Sequence, residues 1–264
     1  MEKLLEIVKL SVHYHAKDKI VKAVENVGLT VNEGEIVGLV GESGCGKSTL
    51  ALSIMRLIDP PGSIYGEIRW RGRNLLNIHE KEMQKVRGEE ISMVFQDPFS
   101  SLNPVFRVGD QIAEVFRYHK GSSRRQSWQK AAELLDLVHI KDPKQRARDY
   151  PHQFSGGMRQ RVSVAMAYAM NPKLLIADEP TTALDVTMQK AILELLKELK
   201  TTMLFISHNI ALVAGLCSRI YVMQAGRIVE EGSSAEIINS PKDPYTAKLV
   251  SSYKEINLEA NRSQ

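Results

Sequence analysis

The chain has 264 residues, 43% of them hydrophobic, with 35 Lys plus Arg against 31 Asp plus Glu and a formal net charge of +4. That length buries a sizeable core, as one large α/β domain or a main domain with a smaller insert, and the scattered basic surplus leaves no nucleic-acid footprint. The two cysteines, Cys45 and Cys217, give no basis for a disulfide framework or a cysteine-held metal cluster and suit a reducing cytosol.

Residues 1–14 alternate like a strand and lack the long apolar core of a signal peptide. With the turn signal at Asn32-Glu-Gly34, residues 1–40 read as a small strand-rich layer. No run approaches the roughly 18 apolar residues that span a bilayer, so a membrane connection has to go through a partner. Glu35-Ile-Val-Gly-Leu-Val40 reads as a buried strand, and residues 50–58 have the apolar spacing of a helix packed on a sheet. Between them lies Gly41-Glu-Ser43-Gly44-Cys45-Gly46-Lys47-Ser48-Thr49. Glycines without Cβ atoms let backbone N–H groups curl around a β-phosphate, Lys47 reaches the β and γ oxygens, and the Ser48 hydroxyl can ligate Mg²⁺. The segment predicts a nucleotide-binding protein.

Further strands are predicted over 66–70 and 91–95, separated by the charged segment 79–90. Residues 108–169 read mostly as helices, with 128–138 the clearest amphipathic stretch and polar breaks at 120–125 and 141–143. This stretch reads as a helical insert. Strand and helix signals then alternate over 173–177, 187–200, 202–206, 210–217 and 220–223, which implies a mostly parallel sheet with crossover helices. The tail after about Ser251 is polar and reads as frayed.

Leu174-Leu-Ile-Ala-Asp178-Glu179 is an apolar strand ending in two acids, at the sheet edge where ligands bind in such folds. Asp178 is expected to face Mg²⁺, directly or through water, and Glu179 to act on a water behind the γ-phosphate as general base or orienting group. His208 follows the apolar strand 202–206 and Ser207, so its imidazole can hydrogen-bond the γ-phosphate. Gln96 ends the strand 91–95 at the border of the insert, where an amide can contact Mg²⁺ or the attacking water. Ser155-Gly156-Gly157 opens a helix over 158–168, a second anion-binding helix start. Two phosphate-type sites in one chain are most simply used by two chains facing each other, each completing its neighbour's site.

Taken together, these motifs resemble the nucleotide-binding subunit of an ATP-binding cassette (ABC) transporter, over about residues 4–250. Residues 41–49 match the Walker A loop, Gln96 the Q-loop, Phe154-Ser-Gly-Gly-Met158 the signature, and 174–179 the Walker B strand. Ala183-Leu-Asp185 matches the D-loop and His208 the switch histidine. The resemblance implies catalytic roles for Lys47, Gln96, Glu179 and His208, and Mg²⁺ contacts from Ser48, Gln96 and Asp178. It implies ATP contacts from Gly41, Ser43, Gly44, Cys45, Gly46, Lys47, Ser48 and Thr49, and from Ser155, Gly156, Gly157 and Asp185, with Ser155 and Gly157 on the γ-phosphate held by the opposite subunit. Tyr14 matches the aromatic residue that stacks on adenine.

Finer wording is similar to the dipeptide, oligopeptide and nickel importer ATPases. It lies in Phe95-Gln-Asp-Pro-Phe-Ser-Ser-Leu-Asn-Pro104, residues 150–157, residues 178–186 and Pro244-Tyr-Thr246. Pro60-Pro-Gly-Ser-Ile-Tyr-Gly66 resembles the D-type subunit of their paired ATPases. Three departures stand out. The cysteine-containing tail common in D-type peptide subunits is not present, so no iron–sulfur cluster is expected. The connection over 197–203 is short, and Asn209 replaces the commoner Asp after the histidine.

The resemblance implies an α/β P-loop NTPase fold: a mostly parallel core sheet, an antiparallel β layer and an inserted α-helical subdomain. The expected boundaries are 1–98 with 170–250 for core and β layer, 99–169 for the helical subdomain, and 251–264 for the tail. The expected function is an importer's ATP-binding subunit that hydrolyses ATP to drive peptide uptake, with nickel or a metal chelate as the alternative cargo. A cassette ATPase working on nucleic acid or ribosomes, and a small-molecule phosphotransferase, are the competing classes. Expected partners are a homologous ATPase subunit in a heterodimer, two transmembrane permease subunits and, indirectly, an extracytoplasmic solute-binding protein. The expected location is the cytoplasmic face of the inner membrane, as a peripheral subunit.

Overall fold

The alternating amino terminus folds as two long antiparallel strands, β1 (Lys3–Ala16) and β2 (Lys19–Asn32). The computed structural model describes residues 2–16, 19–97, 101–182 and 184–252. Ala183 of the expected D-loop, residues 98–100 of the expected Q-loop segment and the tail beyond 252 lie outside the described residues. By its contacts the chain divides into two units, Met1–Ile78 with Thr202–Gln264 and His79–Thr201.

In the first unit, β1 and β2 join β4 (Gly62–Trp70) and β5 (Arg73–Asn74) in an antiparallel sheet of order β2-β1-β4-β5. Leu5, Leu10, Val12, Val24, Val27, Val31 and Ile68 have no exposed surface, the one-sided burial expected of an antiparallel sheet with a wet face. A second set of strands is built on β3 (Ile36–Val40), which runs parallel to both β8 (Thr202–Ser207) and β9 (Arg219–Gln224). β3 and β8 are buried almost throughout, as unbroken apolar runs in a parallel sheet should be. β10 (Arg227–Ser233) pairs antiparallel with β9. The helices of this unit are α1 (Lys47–Ile54), α8 (Ile210–Leu216) and α9 (Ser234–Asn239), and residues 244–252 are also helical. Arg219 ties these layers together: it donates to Glu35 at 2.8 and 2.9 Å, to the Thr30 carbonyl at 2.8 Å and to Glu231 at 2.6 Å. Burial pushes the Glu35 carboxyl up, but the bonds from Arg219 and the Asn32 amide outweigh it and leave the group below its usual value.

The second unit holds α2 (Glu80–Glu89), β6 (Ile91–Val94), α3 (Val108–Lys120), α4 (Arg124–Leu137) and α5 (Pro143–Arg146). It continues through α6 (Gly156–Tyr168), β7 (Leu174–Asp178) and α7 (Val186–Glu198), with β6 and β7 paired in parallel. The polar break at 120–125 is used twice. Gly121 ends α3 at φ 60°, and Ser123 with Gln126 forms a capping box that starts α4. Helices α3, α4 and α6 pack on one another, with Ile112, Ala131, Leu135, Val162 and Ala165 fully buried.

Three segments differ from the sequence reading. The charged segment 79–90 is largely helical: the His79 ring caps the Lys81 amide at 3.2 Å and only Met83 and Val86 are buried, too few apolar side chains to show a period. α1 starts at Lys47, not Leu50, because the phosphate-type loop itself turns into the helix. β10 escapes notice because its side chains are mostly polar and none is buried, the usual dress of an edge strand.

Candidate functional site

In the first unit β3 delivers the chain directly into the loop 41–46, and Gly46 caps α1 with no side chain occupying the helix start. Two glycines are sterically required. Gly46 has φ 108°, and a Cβ there would stand 2.2 Å from the Ala23 carbonyl oxygen; at Gly41 it would stand 2.1 Å from the Met223 carbonyl oxygen. The loop is pressed against β2 and β9, so at these two positions only backbone fits, at a helix start of the kind that favours an anion. Lys47 is 4% exposed, and its ammonium donates to the carbonyls of Gly41 at 2.8 Å and Glu42 at 2.9 Å. Cys45 is buried, which pushes its thiol up despite the Lys47 ammonium 3.9 Å from Sγ. Ser43 and Gly44 are exposed, whereas Ser48 and Thr49 are half-buried on the first turn of α1.

Tyr14 is half-buried near the end of β1, its ring against Gly62, where a Cβ would meet it at 3.1 Å. His208 is exposed and follows β8. The next residue, Asn209, does the capping that an aspartate would do: its Oδ1 accepts from the Ala211 amide at 2.9 Å to start α8.

In the second unit, Asp178 and Glu179 at the end of β7 are 3% and 6% exposed. Glu179 has φ 46°, a left-handed conformation that costs a non-glycine residue about 1–3 kcal/mol and clusters at functional sites. Its carboxylate is held from two sides: Gln96 donates to Oε2 at 3.2 Å and the Thr182 hydroxyl donates to the same oxygen at 2.9 Å. The structure therefore brings Gln96 and Glu179 together. Thr182 was not singled out from the sequence; the signal was a hydroxyl three residues after a strand-end acid, the spacing of a turn that the Thr182 amide closes on the Glu179 carbonyl at 3.1 Å.

Ser155 and Asp185 are both helix caps, accepting from Met158 N at 3.3 Å to start α6 and from Met188 N at 2.9 Å to start α7. Both are exposed, and Gly156 and Gly157 form the first turn of α6, with Gly157 buried. Within this unit the Asp178 carboxylate and the Gln96 amide oxygen, left over when the amide nitrogen goes to Glu179, are hard oxygen ligands of the kind magnesium takes, and in the first unit the Ser48 hydroxyl is another.

A glycine-cradled lysine loop, a strand-end acid pair and a Ser-Gly-Gly helix start define a P-loop ATPase of the cassette type. The ABC transporter family model matches residues 24–182, and the chain belongs to that family, whose members hydrolyse ATP to power transport. It is 50% identical to the oligopeptide transport ATP-binding protein OppD of Bacillus subtilis over 256 residues, 95% of this chain and 72% of that one. It is 47% identical to the dipeptide transport ATP-binding protein DppD of Escherichia coli over 264 residues, 98% of this chain and 81% of that one. Among solved structures it is similar to the dimeric post-hydrolysis state of the ATP-binding cassette MJ0796 bound to ADP and Pi. The TM-score is 0.78 at 29% identity, covering 87% of this chain and 98% of that one. Among the described residues, no helix is long and apolar enough to cross a membrane.

Proposed function

We propose that the chain is the ATP-binding subunit of a peptide importer, seated at the cytoplasmic face of the membrane beside a homologous ATPase subunit and two permease subunits. A solute-binding protein outside the membrane would deliver the cargo. The observation that carries this reading is the likeness, over nearly the whole chain, to relatives named for oligopeptide and dipeptide transport. In this assignment the loop 41–49 cradles the triphosphate with its amides, and Lys47 exchanges the Gly41 and Glu42 carbonyls for phosphate oxygens. Tyr14 stacks on the adenine. Ser48, Gln96 and Asp178 would hold Mg²⁺, which neutralises the phosphate charge. Glu179, held by Thr182 and Gln96, acts on the attacking water as general base or orienting group, and His208 hydrogen-bonds the γ-phosphate. Ser155, Gly156 and Gly157, together with Asp185, serve the ATP held by the opposite subunit. The helical segment 99–169 carries that signature start, while 1–98 and 170–250 form the core and β layer. The region from Gln96 to Phe106 takes the permease's cytoplasmic helix.

Replacing Glu179 by Gln should cut steady-state hydrolysis by about 10²-fold or more while ATP still binds. Lys47→Ala should instead lose nucleotide affinity. Wild-type turnover in the Glu179→Gln protein, or unaltered ATP binding in Lys47→Ala, overturns the site. Cargo is tested by purifying the chain with its membrane partners and identifying what their binding protein holds: peptides are expected, and nickel or a chelate refutes peptide import.

A further inference from the structure

The Pro244-Tyr-Thr246 segment has no part in the reaction as assigned above, yet Tyr245 reaches the nucleotide loop. Its hydroxyl accepts the backbone N–H of Glu42 at 2.8 Å. The other end of the same peptide group, the Gly41 carbonyl, is held by the Lys47 ammonium at 2.8 Å. One peptide plane in the loop is thus gripped at its N–H by Tyr245 and at its C=O by Lys47. The adjoining turn depends on that plane, since the Glu42 carbonyl accepts from Cys45 N at 3.3 Å.

Tyr245 is itself firmly placed. The Glu230 carboxylate on β10 accepts from the amides of Lys242 at 2.9 Å and Asp243 at 3.0 Å, and Asp243 Oδ1 accepts from Tyr245 N at 2.8 Å. Tyr245 is 8% exposed and Thr246 fully buried. The ring also borders a cavity of about 480 Å³ lined by Glu42, Gln224, Asp243, Pro244 and Lys248, so space is open beside it and the hydroxyl bond fixes where it ends.

When Lys47 swings to the triphosphate, the Gly41 carbonyl loses its ammonium and the peptide is free to flip unless its N–H is still held. The structure assigns that task to Tyr245: it is a positioning residue that keeps the Gly41–Glu42 peptide in its binding orientation while Lys47 changes partners. The carboxy-terminal Pro-Tyr-Thr segment is thereby a working part of the nucleotide site. This inference rests on the ATP-binding reading above.

The test uses the full chain with Tyr245→Phe, which keeps the ring and removes the hydroxyl. Losing one such hydrogen bond should weaken ATP binding about three- to tenfold, while kcat at saturating ATP changes less than twofold. In the nucleotide-free protein a thiol reagent followed by peptide mass spectrometry should label Cys45 faster, because the loop opens more often, with Cys217 unchanged as the internal reference. ATP affinity within twofold of wild type, or equal acceleration at both cysteines, overturns the inference. Should Tyr245→Phe fail to fold, Glu230→Gln decides: it loosens the anchor of the 242–243 amides and should move ATP affinity and Cys45 labelling in the same direction by a smaller factor, and no change in either refutes the brace. If the wild-type chain itself binds no ATP, or binds it equally well as Lys47→Ala, the ATPase reading fails instead, and the labelling comparison still decides whether Tyr245 holds the loop.

Discussion

Glu179 shows how much of this site lies in how a side chain is held. A free glutamate at a strand end samples several rotamers; here two donors share Oε2 and the backbone is locked at φ 46°. Thr182→Ala removes one donor and leaves the carboxylate in place, so kcat should fall about three- to tenfold with ATP affinity unchanged, as expected of a group that orients a base. Steady-state kinetics checks this, and an unchanged kcat means that the Thr182 bond does not orient the acid. The acid pair at 178–179 and the lysine loop were legible from residue type and spacing. Thr182 was not singled out, although its partner Glu179 is only three residues away, and Tyr245 could not be, since it acts through one hydrogen bond whose partner lies far off in the chain. For Tyr245 and Glu42 that separation is 203 residues, beyond any local pattern.

At the scale of elements, Arg219 connects β2, β9, β10 and the entry to β3. Its pairing with Glu35 is two-pronged and largely shielded, the side chains being 20% and 10% exposed. Glu35→Gln should destabilise the fold by about 1–3 kcal/mol at neutral pH. Because the Glu35 carboxyl sits below its usual value in the folded chain, its contribution is complete above the unfolded-state value of 4.5 and disappears as pH falls through the lowered one. The stability gap between wild type and variant, measured by denaturant unfolding, should therefore close in acid; a gap that persists there rules out the ion pair as its source. Elements with a strong apolar period, such as β3, α4 and β8, could be read from the sequence, as could the capped start of α6. α2 and β10 could not. α2 depends on a histidine cap with two buried residues, and β10 on pairing with β9 rather than on its own composition. In the connection over 197–203, Lys200 takes φ 48° just after α7.

For the whole molecule, the decisive property is the exposed helix start at Ser155, which the proposed function gives to a neighbour's ATP. The Glu179→Gln chain, saturated with magnesium and ATP and mixed with its homologous subunit, should sediment as a dimer and return to monomers when ATP is removed. Persistence as monomers under saturation contradicts the shared-site arrangement. Family and fold class were within reach of the sequence because six motifs occur in a fixed order. The bracing of the loop by the carboxy-terminal segment was not, because motif order says nothing about which distant backbone atoms meet.

The self-contacts of Lys47 have a consequence for selectivity. Its ammonium is held by two carbonyl oxygens of its own chain, with which an anion has to compete. An anion that offers the ammonium a single oxygen replaces one of those partners, whereas one that offers two replaces both. Under the proposed function, those two carbonyls set a threshold that an anion has to exceed before it takes their place.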